Sequence, residues 1–125
     1  MTIKKSAHRA RDTIDRLETN LYSANFDVFL RISHDETDAA ENAGLRPTEL
    51  IIFGKPEIGS KLMSKVQTVG IDLPMKALAF EDADGTTYLA YNRPDYIGLR
   101  HAITDPIFER MADVLDELTN KAIKS

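Results

Sequence analysis

Apolar residues in the first part of the chain recur at intervals of three and four. Ala10, Ile14, Leu17 and Leu21 share one side of a helical wheel, with Asp12, Asp15, Arg16 and Glu18 mostly elsewhere, and the spacing predicts an amphipathic helix over 7–24. Such a stripe is held by packing against another layer rather than by propensity alone. The period then falls to two. Phe26, Val28, Leu30 and Ile32 alternate with Asp27, Phe29, Arg31 and Ser33, the pattern of a strand with one buried face. The next strand, over 48–53, is mostly apolar and rich in isoleucine, which predicts a central place in the sheet. Runs over 75–81 and 86–91 flank Asp82-Ala83-Asp84-Gly85, and Asp-Gly between alternating runs predicts a hairpin. Asp105-Pro106 opens a last helix, with a stripe of Ile107, Met111, Leu115, Leu118 and Ala122.

Weaker signals supply the remaining elements. Residues 2–5 read as a short first strand. Ser33 with Glu36 matches a capping box for a helix over 35–43, and Gly44 supplies its left-handed stop. A helix is expected over 57–67, a loop over 70–74, and a short helix from Pro94 to about His101. The order is β-α-β-α-β-α-β-β-α-α. One antiparallel or mixed sheet with helices packed mainly on one face buries all these stripes at once, so the expectation is a single α+β domain over 1–125.

Composition narrows the function classes. The chain has 125 residues, 42% of them hydrophobic and 29% charged, enough apolar content for one packed core. With 20 acidic against 16 basic residues the net charge is −4, which gives no general attraction to nucleic acid. The basic cluster Lys4, Lys5, His8, Arg9 and Arg11 has no aromatic residue within it and reads as a solvated end. The absence of cysteine removes disulfides, thiol nucleophiles and cysteine metal sites, and fits a reducing compartment. No apolar run approaches a membrane span and no secretory pattern opens the chain, so a cytoplasmic protein is expected, with neither membrane nor nucleic acid as partner.

Several polar residues fall at predicted strand ends, where loops build sites on a rigid frame. His34 stands between a strand and a helix, and its imidazole can act as base, ligand or hydrogen bonder. Equally, it can fix the turn through a backbone contact. Asp72 lies between Ile71 and Leu73-Pro74, an apolar setting that favours an acid–base role or a loop cap. Lys76 falls on the strand face shared by Leu78 and Phe80, with Asp72 or Glu49 as its expected partner. Tyr91 and Asn92 end the hairpin, and Asn92 suits a cap before Pro94. His101 suits a helix C-terminus, and with His34 it is a candidate metal ligand if the two approach each other. Gly54 and Gly59 are spaced as in a phosphate loop. However, Gly59-Ser60-Lys61 reverses the order that such a loop needs, and Pro56 removes one N–H. A helix N-terminus able to hold a small anion survives that objection.

Ordered segments carry a resemblance. They are Thr13-Ile14-Asp15-Arg16-Leu17, Ser33-His34, Arg46-Pro47-Thr48-Glu49-Leu50, Phe53-Gly54-Lys55-Pro56, Gly59, Leu62-Met63, Ile71-Asp72-Leu73-Pro74 with Lys76, Glu81-Asp82, Tyr91-Asn92 and Arg100-His101. Together they resemble the domain-of-unknown-function 302 family over nearly the whole chain. The resemblance implies a small α+β fold, a homodimer as the usual assembly, and no settled activity. Ser33 stands where the family often has aspartate, which removes one orienter or ligand beside His34, and Phe80 stands where it often has tryptophan.

Three classes of function follow. The first is a homodimeric binding or accessory domain with a modest cleft near His34, Gly54, Asp72, Lys76 and Tyr91, taking a small molecule, anion or metal, with no cofactor required by the sequence. The second is a small enzyme using His34 or Asp72 as acid–base. The third is a purely structural dimerisation module.

Overall fold

A computed structural model describes residues 1–125. Five strands, β1 (Thr2–Ser6), β2 (Asp27–Ser33), β3 (Thr48–Gly54), β4 (Met75–Glu81) and β5 (Thr87–Tyr91), form one sheet in the order β1-β5-β4-β3-β2. All neighbouring pairs are antiparallel. The α+β class stands, and the sheet is antiparallel throughout. The isoleucine-rich β3 is interior, but the middle strand is β4. The β4–β5 hairpin then captures β1 on its free side, which carries the N-terminus across the sheet from β2.

Five helices accompany the sheet: α1 (Ala10–Ser23), α2 (Asp38–Ala43), α3 (Pro56–Lys65), α4 (Pro94–Arg100) and α5 (Ile107–Ile123). The loop expected before β4 contains a 3-10 turn, Gln67–Ile71. The stripe on α1 is buried as its spacing predicts, and on α5 Met111, Leu115, Leu118 and Ala122 are buried together with Phe108. These side chains meet Ile51, Phe53, Met75, Ala77, Ala79, Leu89 and Tyr91 from the sheet in one apolar cluster.

The helix α2 starts later than the capping box predicts. Thr37, not Ser33, caps it by accepting from the Ala40 N–H at 3.0 Å. Asp35 instead accepts from the Thr48 N–H at 2.9 Å, which ties the turn to β3. Gly44 closes α2 at φ 68°, in the left-handed region. In the hairpin, the Asp82 carboxylate accepts from the N–H groups of Asp84 and Thr86, and Gly85 takes φ 84°.

Strand β2 departs from simple alternation. A bulge between Val28 and Leu30 leaves Phe29 unpaired, so Val28 faces Phe53 while Leu30 pairs with Ile52 and Arg31 with Ile51. Beyond the bulge Arg31 and Ser33 point to the helix layer, and Leu30 and Ile32 point away from it. The expectation that Leu30 and Ile32 continue the buried face is corrected: Leu30 is 53% exposed.

The basic cluster near the N-terminus is not a free solvated end. The Lys4 ammonium lies under α5, donating to Asp116 Oδ1 at 2.7 Å, Thr119 Oγ1 at 2.8 Å and Asn120 Oδ1 at 2.8 Å, and it sits 5.7 Å from the Tyr91 ring centroid. That bond and its charge hold Asp116 below the usual carboxylate range. Arg9 pairs with Glu81, Arg11 with Glu36, and His8 with the Lys124 carbonyl. The hydrogen bond from Arg9 lowers the Glu81 pKa against the opposing effect of burial, and the Ala10 N–H adds to it. Glu81 thereby caps α1.

Candidate functional site

Seven-residue strands run roughly 20 Å from end to end, and the register fixes which loops share an end. Ser33 pairs with Glu49, and Thr48 with Phe80, so His34 lies at one end of the sheet. Asp27 pairs with Gly54, and Phe53 with Met75, so Gly54, Asp72 and the start of β4 lie at the other. The cleft expected around His34, Gly54, Asp72, Lys76 and Tyr91 is therefore not one assembly.

His34 is exposed, and its backbone N–H donates to the Thr48 carbonyl at 2.9 Å. Lys76 lies on the face of the sheet away from the helices. Its ammonium reaches the Pro74 carbonyl at 3.4 Å and makes no ion pair with Asp72 or Glu49. Tyr91 is in the core on the helix side, and its hydroxyl is buried without a hydrogen-bond partner. Asp72 meets His101 Nε2 at 2.5 Å and Arg100 at 3.3 Å, joining the loop before β4 to the end of α4. His101 and His34 are not brought together, and no three histidines or carboxylates gather in a way that would hold a metal.

Glu49, which the sequence offered as a partner for Lys76, belongs instead to Arg31. The Arg31 guanidinium donates to Glu49 at 2.7 Å, Asp15 at 2.6 Å and Glu18 at 3.1 Å. Burial opposes that charge, but hydrogen bonds to Asp15, Glu49 and Glu18 outweigh it and raise the Arg31 pKa. Ser33 adds a hydroxyl 3.4 Å from Glu49.

An apolar concavity lies at the Gly54 end. The β3–α3 turn, the loop before β4 and the start of α4 converge there on the side of α5, and enclose a pocket of about 280 Å³. Its wall is largely apolar. Phe29, turned aside by the bulge, lines it together with Leu73 and Pro74 from the loop before β4, Met75 at the start of β4, and Ile58, Leu62 and Met63 from α3. Pro94 and Ile97 of α4 and Phe108 and Met111 of α5 complete it. The turn at Gly54 runs beside the Phe29 ring, and a Cβ added there would meet that ring at an ordinary contact distance of 3.5 Å. The Leu73–Pro74 peptide is cis.

Polar groups are few in this pocket. Lys55 is the one charged residue in the lining, and its ammonium sits 4.7 Å from the Phe26 ring centroid. Ser60 contributes the one side-chain hydroxyl. Lys65 donates to Asp105 at 2.7 Å, fastening α3 to the start of α5, and this bond lowers the Asp105 pKa. Of the five site residues expected from sequence, Gly54 lines the pocket. Asp72 adjoins it through Leu73 and Pro74, while His34, Lys76 and Tyr91 stand apart.

A family model described as "Domain of unknown function DUF302" matches residues 2–123. The chain belongs to the DUF302 family. The crystal structure of an uncharacterized conserved DUF302 protein from Bacillus stearothermophilus has the same fold, with a TM-score of 0.73 over 98% of this chain and 94% of that one. The two are 21% identical. Over 99 residues the DUF302 chain is 40% identical to proteins named fluoride-specific ion channel FluC 1 in Brucella suis and FluC 2 in Brucella melitensis. That match takes in 79% of this chain but 39% and 37% of those proteins, so the chain spans less than two fifths of the curated relatives it matches. No helix of this DUF302 chain is long and apolar enough to cross a membrane.

The sheet face away from the helices is a second surface of this DUF302 chain. Register places Ile3, Ala90, Leu78, Leu50 and Ile32 in one row across all five strands, flanked by Tyr88, Phe80, Ile52 and Leu30. The Phe80 and Tyr88 rings stack at 5.6 Å. Antiparallel sheets with one solvated face carry polar residues there. This one carries an apolar band.

Proposed function

We propose that this DUF302 chain is a ligand-binding domain that works as a homodimer and takes a small, mostly apolar molecule in the pocket between α3, α4, α5 and the loop before β4. The pocket carries the reading. It is concave, walled by aliphatic and aromatic side chains with few polar groups, and its volume of about 280 Å³ lies near the lower limit of ligand sites. A ligand-screened melting assay tests it. A small apolar ligand raises the melting temperature of the native chain and leaves Gly59→Leu unmoved, because that side chain grows from α3 toward Leu73 and Met63 across the pocket. A screen of small apolar compounds that moves neither protein overturns the proposal.

The dimer rests on the apolar sheet face, on which two copies can stack about 10 Å apart around a two-fold axis. Leu78→Arg in the middle of that face converts the dimer to a monomer by light scattering and leaves the circular-dichroism spectrum unchanged. A native chain that sediments as a monomer at high concentration removes this part. The Brucella relatives, more than twice as long as the segment they share with this chain, support an accessory role for such a domain beside other functions.

A further inference from the structure

We infer that the ligand of this pocket is a carboxylic acid with a hydrocarbon body, its carboxylate held by Lys55. The inference rests on the binding role proposed above and adds the chemistry of the head group. No aspartate or glutamate lines the pocket, and Lys55 is its one charged residue. Lys55 is half-buried and takes part in none of the ion pairs of the molecule.

Its only close partner is the Phe26 ring, 4.7 Å from the ammonium. That face attracts the cation without neutralising it. Other buried or half-buried cations here have a carboxylate, as Lys4 has Asp116 and Arg31 has Glu49. Lys55 is therefore a pocket-lining residue whose charge has no carboxylate partner, and an anionic head group in the pocket would draw its ammonium from the Phe26 ring, which is not part of the lining, to complete the pair. The Ser60 hydroxyl, also in the lining, can donate to the same head group.

Size sets the body of the ligand. A dry apolar cavity of about 150 Å³ holds benzene, so this pocket takes a body of roughly eight to ten carbons. A cation is excluded by the lysine. A neutral alcohol of the same length gains the apolar contacts but not the charge-assisted bond.

Isothermal titration of the full chain with sodium octanoate, 1-octanol and octylammonium chloride tests the inference. Octanoate is expected to bind about tenfold or more tighter than octanol, the value of a hydrogen bond to a charged group, and octylammonium more weakly than either. In Lys55→Gln the octanoate affinity falls to that of octanol, the octanol affinity is unchanged, and the melting temperature shows that the variant is folded. Equal binding of octanoate and octanol by the native chain, or a preference that survives in Lys55→Gln, overturns the head-group assignment while the apolar pocket stands. If none of the three probes binds, and the broader apolar screen also fails, the pocket reading falls and takes this inference with it.

Discussion

Replacing Arg31 by methionine will cost far more stability than replacing Glu49 by glutamine, although the two residues form one ion pair. The asymmetry follows from what each substitution leaves behind. The Glu49 side chain is 8% exposed and the Arg31 side chain 25%, and their contact is 2.7 Å. Without Arg31, Glu49 keeps only the Ser33 hydroxyl at 3.4 Å, while Asp15 and Glu18 converge on the same space with no cation between them. A buried charge stripped of its partner costs about 3–5 kcal/mol, and the more exposed pairs with Asp15 and Glu18 add up to about 1 kcal/mol each. Arg31→Met should therefore lose about 4 kcal/mol, a large share of the stability of a small domain. In Glu49→Gln, Arg31 keeps two carboxylates and glutamine still accepts a hydrogen bond, so the loss is about 1 kcal/mol. Adding Glu49→Leu to Arg31→Met should recover part of the loss, because an apolar pair of similar bulk can replace a buried ion pair. Urea denaturation at neutral pH measures all three. Equal losses in the two single variants, or a double variant no more stable than Arg31→Met, would refute the argument that the unpaired carboxylate dominates.

Gly98 of α4 offers a steric test. A Cβ there would lie 2.8 Å and 2.9 Å from Cδ2 and Cγ of Phe108, at the root of a rigid ring, so Gly98→Ala should destabilise by about 1–2 kcal/mol despite its better helix propensity. Gly59→Ala, which meets nothing closer than 3.8 Å, should instead stabilise by about 0.5–1 kcal/mol, and thermal melts of the two variants should move in opposite directions. Protonation gives a third outcome. The folded-state pKa of Glu81 is depressed, so its contribution is fully present above the ordinary glutamate range and is lost as the pH falls through that range toward the folded value. Stability should therefore decline below about pH 4.5, and Glu81→Gln should flatten that decline in urea titrations, while an unchanged slope would mean that the Arg9 pair contributes nothing.

Legibility in the sequence followed the locality of the physics. The stripes on α1 and α5, the Asp82–Gly85 turn and the Gly44 stop depend on residues a few positions apart, and all form where the spacing places them. What needed distant partners was hidden. Lys4 looks like a surface lysine until α5, more than a hundred residues on, folds over it. His34 and Asp72 share the property of ending or preceding a strand, but antiparallel pairing sends them to opposite ends of the sheet. The pocket joins four separated segments, and its lining side chains look like ordinary core residues in the sequence. Gly54 in its strand-to-helix turn and Asp72 beside Leu73-Pro74 were the local signs of it.

The bulge at Phe29 makes strand β2 change parity partway along its length. Side chains in a regular strand are bound to one another in even and odd sets, so a residue cannot be moved to the other face without moving all the rest. One unpaired residue cuts that bond, and the two halves of β2 answer to different demands. The first half sends Val28 to the core. The second turns Arg31 in toward its three carboxylates and Leu30 and Ile32 out to the apolar band, while Phe29 itself is released toward the pocket. Deleting that single residue would reverse every side chain on one side of the cut. The pocket wall, the ion-pair hub and the outer face would then be lost together rather than one at a time.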